Sequence, residues 1–392
     1  MRRVGGLTPV DALGFLTIFS YGSWFYGFGV LVDDVAAAFG MSVGALGVVY
    51  GVTTLCGGLA AVFAARHLDR HGARNMLAFV GPIAAITYGL SSFASSAWLY
   101  CVLFPVSGAA ISATGFYSLT QPLAMSLRPG EHVRAITRLT IWGAFSSPIT
   151  IPLTEFLRGT VGWRNSVRIS SGLLVVAYVV AARSTRDVTV ARSSASASIR
   201  AALSGVSKSK FLRLYAAGVL VSSMSVSSLL VFQVSVMRWA GLSAALAATF
   251  AGGRGLLQLL GRLPLVPIVD RFGVWKVQIA CRSAIGLGAI ALAFSGSIPF
   301  AVGYIVIIGA SAGALSAIDG MVAREILPTK DFATLASVLG LIGTVGSALG
   351  PIVVGLLVQA SNTLGVVPVV VVATGISAPV IQILGARSRS RN

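Results

Sequence analysis

Residues 67–75 read HLDRHGARN, and residues 268–276 read IVDRFGVWK. Each stretch joins two long apolar runs, and the second repeats the Asp, Arg and Gly of the first at an offset of 201 residues. The same offset also pairs FGMSVG at 39–44 with AGLSAA at 240–245. The matched pairs are Asp69/Asp270, Arg70/Arg271, Gly72/Gly273, Gly40/Gly241 and Ser42/Ser243. Five identities at one long offset indicate two related halves.

The composition is that of a membrane protein. Of the 392 residues, 56% are apolar and 10% are charged, whereas soluble domains carry roughly 25% charged residues. A transmembrane helix needs ~20 apolar residues, and this excludes both a disordered chain and an ordinary soluble enzyme. Twelve apolar runs lie at about 12–32, 45–65, 75–95, 98–125, 137–157, 166–183, 213–236, 244–266, 274–294, 298–322, 332–357 and 364–386. We therefore predict an all-α polytopic membrane protein with twelve transmembrane helices in two six-helix pseudo-repeats.

One long polar interruption separates the sixth run from the seventh. It is rich in Ser and Arg and reads as a solvated linker. We predict an N-terminal six-helix bundle at 1–183, a basic cytoplasmic linker at 184–212 and a C-terminal six-helix bundle at 213–392.

The net charge of +18 would suggest nucleic acid binding in a soluble protein. Here the basic residues lie between apolar runs and form no patch interleaved with aromatic residues. With both termini inside, 23 Lys and Arg fall on the cytoplasmic side and four on the other side, as the positive-inside rule requires. We predict a multi-pass protein of the cytoplasmic (inner) membrane with both termini cytoplasmic, and no nucleic acid partner.

Catalytic and cofactor motifs are missing from the sequence. Cys56, Cys101 and Cys281 all sit in apolar runs without CxxC spacing. There is no Gly-Lys dipeptide, so a P-loop is excluded. We expect no enzyme activity, no cofactor and no metal. The expected partners are the lipid bilayer and a small-molecule substrate, and the expected state is a monomer.

The two D-R-x-G loops resemble the signature loops of major facilitator superfamily transporters. Three further stretches, 21–32 (YGSWFYGFGVLV), 152–164 (PLTEFLRGTVGWR) and 231–273, are similar to the branch of monocarboxylate porters and oxalate–formate antiporters. The resemblance implies the major facilitator fold. It also implies gating roles on the cytoplasmic side for Asp69, Arg70, Gly72, Asp270, Arg271 and Gly273. The alternative for these residues is a tight turn with solvated charges.

The eighth apolar run is predicted to carry an anion site. Arg254, Gln258 and Arg262 are spaced i, i+4, i+8, which places them within roughly 80° of arc on one helix face. Arg254 would lie ~15 Å from the helix start, near the membrane midplane. The resemblance adds that Arg262 matches the arginine that binds carboxylate in monocarboxylate porters. The alternatives are snorkelling by Arg262 and a structural ion pair for Arg254.

Other polar residues within the apolar runs are costly in lipid and usually face an aqueous cavity. Asp319 and Glu155 are candidate proton-coupling carboxylates. The alternatives are an ion pair with Arg324 or a loop position for Asp319, and an interfacial position for Glu155. Arg282 is a candidate for snorkelling. Gln233 stands where members of the resembled branch often have His, so a proton-handling role there is lost or moved. Candidate cavity-lining residues are Tyr21, Trp24, Tyr26, Tyr117, Gln121, Trp142, Gln233 and Gln258.

These features predict a secondary active transporter for a small organic anion, a mono- or dicarboxylate, coupled to protons or to anion exchange. The alternative is a proton-driven efflux pump for a drug-like or secondary-metabolite compound. A solute-sensing receptor that moves nothing is a third hypothesis.

Overall fold

The computed structural model describes residues 8–127, 132–185, 206–207, 209–327 and 332–389, with the backbone alone for residues 69, 132–133, 332–334 and 388–389. In the described ranges every regular element is a helix, which confirms the predicted all-α class. The α-helices are α1 (Pro9–Ser20), α2 (Gly27–Phe39), α3 (Val43–His71), α4 (Gly81–Leu90), α5 (Ala97–Gly115), α6 (Tyr117–Leu127), α7 (His132–Ala144), α8 (Ser146–Ser184), α9 (Lys210–Trp239), α10 (Ala244–Leu260), α11 (Leu265–Phe272), α12 (Val274–Ala293), α13 (Ile298–Ile326), α14 (Phe332–Ser361) and α15 (Val366–Arg389). Two π-helical segments, Tyr21–Tyr26 and Met76–Val80, and a short 3-10 turn, Ser91–Phe93, complete the described elements.

The helices reproduce the predicted membrane spans closely. In the described residues, ten helical segments are long and apolar enough to cross a membrane. One of them, Arg134–Ser184, has 51 residues and turns at Gly162, where the backbone leaves the helical region (φ 81°, ψ 162°). It therefore covers the two predicted runs at 137–157 and 166–183. A shorter apolar helix, Ala244–Leu260, covers most of the run at 244–266.

The predicted repeat is visible in the backbone. The described glycines with positive φ are Gly40, Gly72, Gly162, Gly241 and Gly273, and four of these five are the two glycine pairs of the repeat. The helices between them also correspond, since α3 runs from Val43 to His71 while α10 begins at Ala244 and α11 ends at Phe272. Glycine is retained at these turns because other residues rarely adopt this backbone conformation.

The predicted eighth span is broken, which corrects the continuous helix expected over 244–266. The helix ends at Leu260, and residues 261–264 form turns before α11 begins. Pro264 explains the break because its ring clashes with the carbonyl group four residues earlier and it has no N–H to donate. The predicted i, i+4, i+8 face therefore does not extend to Arg262, which lies in the turn.

The described helices belong to two compact units. The first comprises residues 1–193 together with 244–255, and the second comprises 194–243 together with 256–392. In the first unit, Gly57 packs against Ser112 and Gly108 against Thr53. In the second, Gly286 packs against Gly375. Small residues at such contacts let helices approach closely in lipid.

The division at 183 and 213 remains a prediction. The linker predicted at 184–212 lies for the most part outside the described residues.

The two repeat glycines that end α3 and α11 should be sensitive to substitution. Gly72 (φ 74°, ψ 179°) and Gly273 (φ 83°, ψ 148°) lie in or near a region that is essentially restricted to glycine. A Cβ at either position would meet no atom within 4 Å, so the cost comes from the backbone alone. We expect Gly72→Ala and Gly273→Ala each to lower the free energy of unfolding by ~1–3 kcal/mol, measured by SDS titration of the purified protein. Gly159→Ala is the matched control, since Gly159 is helical and also has open space around it. Equal stability of all three variants would contradict this explanation of the repeat.

Candidate substrate site

Arg254 is the most deeply buried cation among the described residues of the first unit. It lies in α10 with a relative exposure of 1%, although a guanidinium cannot lose its proton to escape the cost of burial. Gly252 and Gly255 flank it and let α10 pack closely against α8 at Ser147 and Pro152. The sequence therefore places a permanent positive charge at a tight helix contact.

The guanidinium of Arg254 is only partly satisfied. Its charge acts on the hydroxyl group of Tyr26, but its Nε and Nη2 atoms are buried without a hydrogen-bond partner. A buried donor left unpaired costs ~1–3 kcal/mol, and more when it is charged. The ion pair considered as an alternative for Arg254 is not present among the described residues, since no salt bridge involves it there.

Two other arginines of the same unit show what the Nε and Nη2 pair binds. Arg138 donates from Nε and Nη2 to the two carboxylate oxygens of Asp11, at 2.6 and 2.8 Å. Arg158 grips Glu155 with the same pair, at 2.8 Å for both bonds. These two forks hold carboxylates, as the planar geometry of arginine favours. Arg254 presents the same fork unoccupied by protein.

A π-helical segment brings Tyr26 to this site. Residues 21–26 form a π turn within the first span, closed by a bond from the N–H of Gly27 to the carbonyl of Gly22. In an α-helix, residues five apart point ~140° away from each other, but i→i+5 bonding brings them nearly into line. As a result the rings of Tyr21 and Tyr26 lie on the same side, with centroids 6.3 Å apart.

Three of the predicted cavity residues, Tyr21, Tyr26 and Tyr117, lie together, and Tyr26 is the one on which the charge of Arg254 acts. Tyr21 stacks on Phe116 at 3.8 Å and lies 5.4 Å from Tyr117. The hydroxyl group of Tyr117 packs directly on Gly143, and a Cβ at this position would have to displace it. Sequence reasoning had missed Phe116, although its position directly before Tyr117 could have suggested it.

Trp24 lies in the core instead of lining a cavity, which corrects the prediction from the sequence. Its relative exposure is 1%, and it packs among the rings of Tyr50 and Phe104. It is a core residue because its side of the first span faces α3 and α5. Gln121 is partly exposed in α6.

Trp142 takes part in a different cluster of the first unit. Its indole N–H donates to Asp11 at 3.0 Å, which also accepts from Thr8 and Arg138. A cavity of ≈ 400 Å³ lies here, lined by Asp11, Arg138, Ile141, Trp142 and Phe145. Sequence reasoning had missed Asp11 and Arg138. The only local signal is the capping box, in which Thr8 and Asp11 bond each other's backbone N–H at the start of α1.

In the second unit, two predicted substrate ligands make bonds within the protein. Gln233 accepts a hydrogen bond from the hydroxyl of Tyr304 at 2.9 Å and both are buried. Arg262 donates from Nε to the carbonyl of Gly313 at 3.3 Å. The backbone of Gln258 packs against Gly313, and its side chain is partly exposed.

Asp319 accepts hydrogen bonds from a polar cluster in the second unit. Its Oδ1 accepts from Arg282 at 3.0 Å and from Gln278 at 2.6 Å, and Gln278 also donates to Tyr215 at 3.2 Å. The ion pair expected with Arg324 is thus formed with Arg282 instead. Arg282 does not snorkel, because it is 1% exposed and held inside by this pair.

Glu155, the second candidate proton-coupling carboxylate, also forms an ion pair. Arg158 binds it and also reaches Asp34 at 3.2 Å. This network ties the end of the first span to the predicted fifth span. The carboxylate of Glu155 therefore has a structural partner within the unit.

The predicted gating residues occupy corresponding helix ends. Asp69 and Arg70 lie in the last turn of α3, and Asp270 and Arg271 in the last turn of α11. Arg70, Asp270 and Arg271 are exposed, while the side chain of Asp69 lies outside the described residues. The gating role remains a prediction.

Long apolar helices in two units, with charged groups held inside each, define a polytopic membrane protein. The family model of the Major Facilitator Superfamily matches residues 13–255, which is more than half of the chain. The chain therefore belongs to the major facilitator superfamily and is a membrane transporter rather than an enzyme. Members of this superfamily bind small-molecule substrates within the membrane.

Solved structures show the same fold. A structure of the nucleoside transporter NupG (D323A mutant) is 14% identical with a TM-score of 0.82, and the match covers 97% of this chain and 98% of that one. A bacterial homolog of the human lysosomal transporter Spinster, inward-facing and unoccupied, is 15% identical with a TM-score of 0.69, covering 97% and 95%. At these identities the likeness concerns the fold alone, and the resemblance to the monocarboxylate branch remains a prediction.

Proposed function

We propose that this transporter moves a small organic anion, with a carboxylate bound by Arg254. The observation that carries this proposal is the free Nε and Nη2 fork of a fully buried guanidinium. The neighbouring forks of Arg138 and Arg158, both on carboxylates, support this choice of ligand. A neutral or cationic substrate would leave the charge of Arg254 unbalanced in an apolar environment.

We further propose that Asp319 couples transport to protons. The side chain of Asp319 is 46% exposed, whereas that of its partner Arg282 is buried. Water can therefore reach the carboxylate of Asp319 but not the guanidinium of Arg282. Glu155 is the weaker candidate because Arg158 occupies both of its oxygens. The charged or titratable groups that act on or beside Asp319 are Arg282, Tyr215 and Cys281.

Both termini and the basic linker are proposed to lie in the cytoplasm, on the charge asymmetry of the sequence. In a variant without native cysteines, a cysteine at Ser196 should resist a membrane-impermeant thiol reagent added to intact cells. A cysteine at Thr160, exposed near the opposite end of the fifth span, should react. The reverse pattern of labelling would reject this orientation.

Arg254→Lys should weaken the binding of the anion. Lysine keeps the charge but cannot form the two parallel bonds of the fork, and the loss of one charge-assisted hydrogen bond corresponds to a roughly 10- to 100-fold lower affinity. The measurement is uptake of radiolabelled acetate, pyruvate, oxalate and benzoate into proteoliposomes under an imposed proton gradient. Arg213→Lys, at an exposed position of α9, is the matched control.

Carboxylate uptake that is unchanged in Arg254→Lys would reject the proposed site. Accumulation of the lipophilic cation tetraphenylphosphonium, without uptake of any carboxylate, would instead support the efflux alternative.

Asp319→Asn should separate transport from coupling. The amide resembles a protonated carboxyl group that cannot release its proton, so the pH gradient can no longer drive accumulation. Exchange of labelled for unlabelled anion at equal pH should continue at half of the wild-type rate or more. Glu325→Gln, an exposed carboxylate on the same helix, should keep both activities. Gradient-driven accumulation at the wild-type level in Asp319→Asn, or loss of exchange in a folded variant, would contradict the coupling role.

A further inference from the structure

Aromatic rings surround Tyr26, whose hydroxyl group lies within reach of the charge of Arg254. We call Tyr21, Phe25, Tyr26, Phe116 and Tyr117 the aromatic cluster. Tyr26 lies 5.1 Å from Phe25, and Phe25 lies 5.9 Å from Phe116. The cluster and the guanidinium all belong to the first unit.

The cluster offers both faces and edges to a ligand. Tyr21 and Phe116 are stacked, with an interplanar angle of 13°, whereas Phe25 stands edge-on to both of them, at 89°. Aromatic rings attract one another in offset-stacked and edge-to-face arrangements, with centroids ~4.5–7 Å apart. A planar ring in contact with this cluster could therefore use either arrangement.

The exposure of these rings distinguishes them from core and lipid-facing aromatics. The five members are partly exposed. Their neighbours Trp24 and Tyr50 are almost completely buried, at 1% and 0%. Phe63 and Phe79 lie on the surface and are 67% and 62% exposed. The five rings are thus neither core residues nor fully exposed ones. We interpret this partial exposure, close to a fully buried arginine, as that of rings that line an internal space.

We propose that the substrate is an aromatic carboxylate, a compound of the benzoate type, with its ring against the aromatic cluster and its carboxylate on the fork of Arg254. This inference rests on the proposed anion function and narrows the substrate from small organic anions in general to aromatic ones. The apolar rings bury the organic part of the anion, and their quadrupoles favour a π-system over a saturated ring of similar size.

The closing experiment measures binding to the full-length protein in lipid nanodiscs at pH 7.5, without any gradient. The probes are benzoate, cyclohexanecarboxylate, which has the same charge and a similar apolar volume, and benzamide, which keeps the ring without the charge. Benzoate should bind ~3- to 10-fold more tightly than cyclohexanecarboxylate, as expected for one or two ring contacts. Benzamide should bind most weakly of the three.

Two pairs of variants tie the preference to the cluster. Phe116→Leu should bring the ratio of the benzoate and cyclohexanecarboxylate affinities close to one, whereas Phe63→Leu, the same change at an exposed position, should leave it unchanged. Gly143→Ala should lower the ratio as well, because the new methyl group displaces the ring of Tyr117. Gly159→Ala, with no neighbour within 4 Å, is its control. Tyr21→Phe, which retains the ring, should keep the ratio and shows that the ring rather than the hydroxyl matters.

The outcomes separate the two proposals. If both carboxylates bind equally and Arg254→Lys weakens both, the anion function stands and the aromatic preference is wrong. If benzamide binds as tightly as benzoate, or if Arg254→Lys leaves both carboxylates unaffected, the anion function is wrong. If wild type prefers benzoate and folded Phe116→Leu keeps that preference, the rings of the cluster are not its source. Folding of each variant is checked by its elution profile and thermal midpoint.

Discussion

A lipid bilayer provides no hydrogen bonds, and every other feature of this protein follows from that constraint. Backbone groups are satisfied within helices, so the regular elements in the described residues are helical. Side-chain charges must likewise find partners inside the protein. Asp11 with Arg138 and Glu155 with Arg158 show how complete such pairing becomes. Arg282 also has unpaired nitrogen atoms, but it contacts the carboxylate of Asp319. Arg254 has no carboxylate partner among the described residues, and its unpaired Nε and Nη2 atoms mark a place where a partner from outside can bind.

Much of the fold could be predicted from the sequence because its causes are local. Apolar runs of the required length became helices, and Gly72 and Gly273 were recognisable because a turn at these positions needs a backbone conformation that glycine adopts most readily. The break after Leu260 was also local, since Pro264 forbids a regular helix there. It was missed because averaging hydropathy over a window of a whole span hides a single proline within it.

The candidate site was less predictable because its contacts join distant parts of the chain. Asp11 and Arg138 are 127 residues apart, and no pattern in the sequence pairs them. Asp319 bonds Arg282, 37 residues away, instead of the nearby Arg324, because α12 packs beside α13 in the second unit. Arg254 itself could be predicted, since a guanidinium in an apolar run is conspicuous on cost alone. That Tyr26 would lie near it depended on a π turn, for which the sequence offered no recognised signal.

The four turn glycines of the repeat also bear on the history of such proteins. After a duplication, side chains on helix faces can be exchanged for others of similar size, and the two copies drift apart. Substitution is unfavourable at Gly72 and Gly273, because any other residue would be strained in this backbone conformation. The two halves of this chain accordingly share the positive φ angles of these turns, although most of the side chains around them differ. The four turn glycines are therefore the positions at which one half of this sequence can be aligned with the other.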